Sequence, residues 1–187
     1  MRSSVLLLSW LVSAGAPDAL ADPDSIQFLS VGVIGSGSVG RSSMAGIGVE
    51  ATLSSLDVSD RGYGVYIQAE TGGRLADESS SIGDQRRYAA GAMLLRGWLG
   101  VELGGLYRTA PMLEPTPGVQ LGLFASAGLV SLELRAGLAS AGSAEHPRYG
   151  SDIGLVIAAK LPVQIGGEAL SVKNVSLLPC VWWCHRK

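Results

Sequence analysis

Three clusters in this 187-residue chain have residue types and spacing that could do chemistry. Gly35-Ser36-Gly37-Ser38-Val39-Gly40 fits G-x-G-x-x-G and follows the apolar run Phe28 to Ile34. In a dinucleotide-binding fold such glycines let a pyrophosphate approach the backbone at a helix N-terminus. That reading needs a helix over 41–54, where Gly46 and Gly48 stand in a period-2 pattern instead. It also needs an acidic residue about 20 residues on, and Glu70 comes later than that. A Gly/Ser hairpin loop accounts for the same residues. Next, Ser143, Glu145 and His146 lie within four positions. A Ser, a carboxylate and a His can build a hydrolase site, yet near-neighbours in one loop rarely hold that geometry. Last comes Cys180-Val181-Trp182-Trp183-Cys184-His185. Two thiols and an imidazole lack an evident fourth ligand for zinc. In an oxidising compartment a local Cys180–Cys184 disulfide is the expected product, with free thiols or a metal as alternatives.

A fourth set is spread over the chain. Glu50, Glu70, Glu102, Glu133 and Asp152 stand against Arg87, Arg108, Arg135 and Lys160, with Gln68 and Gln120 among them. All fall in one register of segments that alternate with strict period 2. The opposite register is apolar and uncharged. Leu99, Val101, Leu103 and Tyr107 interleave with Gly100, Glu102, Gly104 and Arg108. Val130, Leu132, Leu134, Ala136 and Leu138 interleave with Ser131, Glu133, Arg135 and Gly137. Alternation at 180° per residue means strands with two chemically different faces.

The elements that must position these residues are therefore strands. The pattern predicts eight of them, near 26–34, 43–54, 62–71, 87–95, 98–108, 118–126, 129–139 and 150–161. Each is close to the ~9–11 residues that a tilted strand needs to cross a bilayer. Polar Gly/Ser/Pro-rich loops follow the odd strands, at 35–42, 72–86, 109–117 and 140–149. Tighter links follow the even ones, at 55–61, Arg96-Gly97 and Ala127-Gly128. Tyr88, Tyr107 and Tyr149 fall at strand ends beside the long loops, where an aromatic girdle would sit. The apolar register carries no charge, as a lipid-facing wall requires, because Arg or Lys there costs roughly 2–4 kcal/mol at mid-depth. The charged register then lines an interior just wide enough for its own side chains. On this reading Arg135 bridges at least two of Glu50, Glu102 and Glu133 and closes the lumen. Lys160 neutralises charge nearer the periplasmic end. Turned the other way, as a soluble exported barrel, the chain would show water a surface of Gly and Ala with few charges.

Composition agrees. Charged residues are 16% of the chain, against about 25% in soluble domains. A net charge of -2 leaves no nucleic-acid footprint. Residues 1–21 read as a secretory signal: Arg2, the apolar stretch Val5 to Ala16, then Ala19-Leu20-Ala21 as the cleavage site. The remainder divides into a barrel over 22–161 and a tail over 162–187. The tail is either periplasmic or holds a further wall strand. Pro162 and Pro179 argue against a central strand there.

Over residues 26–161 these alternating segments resemble the small OmpA/OmpX-type transmembrane barrels of Gram-negative bacteria. The resemblance is one of pattern rather than of a diagnostic motif. It implies an all-β, up-and-down antiparallel barrel in the cell outer membrane without an open channel. Such barrels usually end on an aromatic residue of the last strand, whereas here the tail follows Leu161. The expectation is a structural or surface-interaction protein with outer-membrane lipid around it and an extracellular ligand contacted through 72–86. No catalytic residue, cofactor or metal is expected. The alternative is a lipid-modifying hydrolase at the outer rim that uses Ser143 and His146.

Overall fold

The computed structural model describes residues 25–40, 43–57, 60–74, 83–111 and 113–166. The expected signal segment, the middle of the 72–86 loop and the Cys180–Cys184 segment lie outside them. Among the described residues eight strands follow one another: β1 (Ile26–Gly40), β2 (Met44–Leu56), β3 (Arg61–Arg74), β4 (Gln85–Arg96), β5 (Leu99–Ala110), β6 (Leu113–Ala127), β7 (Val130–Ala139) and β8 (Asp152–Gly166). Each pairs antiparallel with its sequence neighbour, and β8 returns to β1, so the barrel is closed. Closure leaves no free sheet edge.

The faces follow the sequence alternation. Val33, Ile47, Leu103, Leu123, Leu134 and Ile157 stand exposed on the outer wall. Glu50, Glu70, Arg87, Glu102, Arg108, Glu133 and Arg135 are buried inside. Large apolar side chains are thus mostly outside, and buried polar groups outnumber buried apolar ones. Part of the interior is nonetheless apolar: Tyr66, Ala89, Met93, Leu106 and Phe124 form one cluster, and Ile34, Val156 and Ala158 another.

The two ends differ. At one end β4–β5 and β6–β7 close through Gly97-Trp98 and Gly128-Leu129. Gly97 has φ 60° and Gly128 φ 65°, the left-handed values that a two-residue hairpin asks of its first central residue. Both glycines fall at the links that the sequence indicates. At the other end the connections after the odd strands are 41–43, 75–84, 111–112 and 140–151.

The 72–86 loop is shorter than the sequence reading has it, with 72–74 in β3 and 85–86 in β4. Three further stretches are strand in the closed, staggered wall. Gly35–Gly40 is no loop. It is the upper part of β1, paired with β2 as far as Ser38 and with β8 as far as Gly40. The segment 109–117 is mostly strand too. Its Pro115 and Pro117 are tolerated because β6 pairs with β7 only from Gly118 onward, which leaves one side of 113–117 without a ladder. Likewise β8 runs beyond Leu161, through Pro162, to Gly166. Its ladder to β7 ends at Ala159 while its ladder to β1 continues, so Pro162 also sits where one side is unpaired.

Candidate functional site

The interior charges gather in one connected network. Glu70 on β3 is its hub. Arg135 on β7 grips it with both terminal guanidinium nitrogens, Nη1 to Oε1 at 2.5 Å and Nη2 to Oε2 at 2.7 Å. Arg87 on β4 donates to Oε1 at 2.8 Å, and the Ser36 hydroxyl on β1 donates to Oε2 at 2.5 Å. Arg87 reaches on to Gln120 Oε1 of β6. Gln120 Nε2 donates to Gln68 Oε1 at 3.1 Å, and Gln68 Nε2 donates to Glu50 Oε2 at 3.1 Å. Lys160 on β8 pairs with the other oxygen of Glu50. The chain from Ser36 to Lys160 thus touches every strand but β5. It crosses the lumen in a medium where unpaired charge is costly and paired charge is strongly held.

A second pair closes the upper mouth. Arg108 on β5 pairs with Asp152 on β8 and donates to the Gly150 carbonyl at 3.3 Å. The Tyr149 ring lies 5.6 Å over the same guanidinium, within cation–π range. Tyr149 N donates to Thr116 Oγ1 at 3.3 Å, so residues 149–150 are laid across the opening. Above them Glu114 accepts from Arg148 Nε at 3.2 Å and faces His146 Nδ1 at 2.7 Å. These contacts hold the Glu114 carboxyl below the usual carboxylate range, the Arg148 bond first and the His146 bond second.

Small residues make room for the long ones. A methyl placed on Gly137 would collide with Arg108 and Asp152, and one on Gly104 would meet the Tyr66 hydroxyl. Gly122 lies between Glu133 and Glu102. Those two carboxylates are left out of the network. Glu102 Oε2, Glu133 Oε1 and the Tyr66 hydroxyl are buried with no hydrogen-bond partner among the described residues.

Several sequence expectations are met and others corrected. The inward placement of Glu50, Glu70, Glu102, Glu133, Arg108 and Arg135 is as the alternation indicates. Lys160 takes Glu50, one of the carboxylates expected on Arg135. Arg135, however, bridges none of Glu50, Glu102 and Glu133. It takes both oxygens of Glu70, because its side chain extends across the lumen to β3 rather than along its own wall. Arg87, which shares Glu70, is as central as Arg135. Tyr149 leaves the expected girdle and is 2% exposed inside the mouth. Tyr88 and Tyr107 are exposed and directly paired across β4 and β5. The Ser143 hydroxyl accepts from the backbone N of His146 at 3.1 Å, while the His146 ring turns to Glu114. Ser143 and the imidazole thus do not form a nucleophile–base pair. The apolar interior cluster around Tyr66 and Phe124 occupies inward positions of the alternation, where charge gives no signal of it.

A comparison with protein-family models finds no match, and a comparison with curated proteins finds none either.

Proposed function

We propose that this chain is a small outer-membrane β-barrel with a closed, charge-paired lumen, acting as a structural or surface-interaction protein. One observation carries the reading: a closed barrel whose outer wall is apolar along the middle of all eight strands, with the mid-strand charges turned inside and outward arginines only at strand ends. Water rewards the opposite arrangement, and contiguous exposed apolar surface of this extent marks contact with another apolar phase. Lipid rewards this one, since a closed barrel satisfies every wall hydrogen bond internally. The segment 1–21, read as a secretory signal, supplies the export that such a location needs. The end carrying 75–84 and 140–151 would face outward and the short turns the periplasm, the usual habit of such barrels. The resemblance to OmpA/OmpX-type barrels belongs to the same reading. So does the surface role of 72–86, the longest polar connection outside the mouth-covering segment.

Fractionation tests the reading. The mature chain should pellet with outer membranes, resist high salt and carbonate, and migrate differently on gels before and after boiling. Recovery in the soluble periplasm would refute it.

A further inference from the structure

Arg61 and Arg96 are the last outward-facing residues of β3 and β4 at the turn end, and they are direct partners in the register. Both are exposed. Among the described residues, neither guanidinium belongs to an ion pair, whereas Arg87, Arg108, Arg135 and Arg148 all do. Like charges directly opposite on one sheet face repel. Two carboxylates precede Arg61 in the turn, Asp57 and Asp60. Asp57 accepts from the backbone N of Arg61 at 2.9 Å, and neither forms an ion pair with Arg61 or Arg96 among the described residues. Immediately beside the pair a groove of about 660 Å³ opens along the outer wall, lined by Arg96 and by Leu94, Leu99, Val101, Leu123 and Leu132. Trp98, exposed in the adjoining turn, stands at the same level, where an indole suits the boundary between acyl chains and headgroups.

We infer that the turn end of the outer wall binds an anionic phospholipid, its phosphodiester between Arg61 and Arg96 and an acyl chain in the adjoining groove. A shared anion turns the repulsion between two facing guanidiniums into two charge-assisted hydrogen bonds, and guanidinium geometry suits phosphate oxygens. The groove supplies apolar contact directly above that anion, so head and tail of one molecule are matched together. An anionic soluble ligand would leave the groove empty, and a neutral lipid would bring no net charge to the two facing guanidiniums. The inference rests on the membrane reading above.

The test uses the full chain folded into phosphatidylcholine vesicles containing brominated phosphatidylglycerol, or brominated phosphatidylcholine at the same fraction. Trp98 emission is taken as the difference between wild type and Trp98→Phe. Quenching by phosphatidylglycerol should exceed quenching by phosphatidylcholine in relative association. Arg96→Gln should reduce that preference about fivefold, the equivalent of roughly 1 kcal/mol for one basic side chain at an anionic lipid surface. Arg61→Gln with Arg96→Gln should abolish it. Arg86→Gln, the same charge change on the outward face of β4 at the opposite end, should leave it intact. A preference near one in the inserted wild type would overturn the inference alone. So would equal losses from Arg86→Gln and Arg96→Gln, which would mark a general charge effect. Failure to insert into either vesicle, read by unchanged gel migration on boiling, would overturn the membrane reading and this site with it.

Discussion

Glu70 is the residue on which the interior depends most. Its single charge is shared by Arg87 and Arg135, so removing it leaves two guanidiniums without their common partner inside a narrow wall. Stranding a buried charge costs about 3–5 kcal/mol. Glu70→Gln should therefore lower the stability of the folded barrel by about that much, measured by urea titration in vesicles. Glu133 gives a contrasting expectation. Its Oε1 is buried without a hydrogen-bond partner, so Glu133→Gln breaks no ion pair among the described residues and should cost much less than Glu70→Gln in the same titration. Equal losses from the two variants would mean that the hub is wrongly placed. Glu114, beyond the apolar band, titrates in the open. Its folded pKa is depressed by Arg148 and then His146. A depressed carboxyl stabilises above its unfolded pKa and loses that effect as pH falls through the folded one. Protection factors of the Arg148 and Gly150 amides, corrected for the intrinsic pH dependence of exchange, should accordingly fall below the ordinary carboxylate range, while amides of β3 and β4 keep theirs. Which residues point inward was legible from alternation alone. Which of them meet was not, because partners such as Glu70 and Arg135 are 65 positions apart and meet across the lumen, where side-chain reach and strand stagger decide.

At the scale of the strands, one register error would turn every side chain to the other face. Leu132 and Ser131 therefore make a sharp pair: the first is 49% exposed and the second 6%. Leu132→Arg should block insertion into vesicles, at about 2–4 kcal/mol for a charge facing mid-bilayer. Ser131→Arg places the same group in the lumen and should insert in higher yield, with any loss coming from volume. A reversed ranking in folding yields would show that β7 is turned the other way. Strand number and both two-residue turns were legible because alternation and Gly punctuation are local signals. Strand ends were not. Gly35–Gly40, 113–117 and 162–166 carry the residues of loops, Gly, Ser and Pro. Residues 35–38 are held in the wall by partners on both sides, and 39–40, 113–117 and 162–166 stay there because a tilted, staggered barrel gives a strand end one neighbour after the other has stopped. Stagger is a property of the closed sheet, so no single segment encodes it.

For the whole molecule, a lumen crossed by hydrogen-bonded side chains and covered by Tyr149 should not conduct. Planar-bilayer recordings of the wild-type chain should show no large, stable channel, and a steady conductance would contradict the packing from Glu50 to Arg135. The central claim is that the apolar wall faces lipid and the charged register faces inward. Spin labels placed singly at residues 130–138 of β7, with the chain folded in vesicles, test it directly through collisions with oxygen, which concentrates in the bilayer interior. The account predicts a period-2 oscillation, with high oxygen accessibility at Leu132, Leu134 and Leu138 and low accessibility at Ser131, Glu133 and Arg135. An oscillation of opposite phase, or none at all, would contradict it.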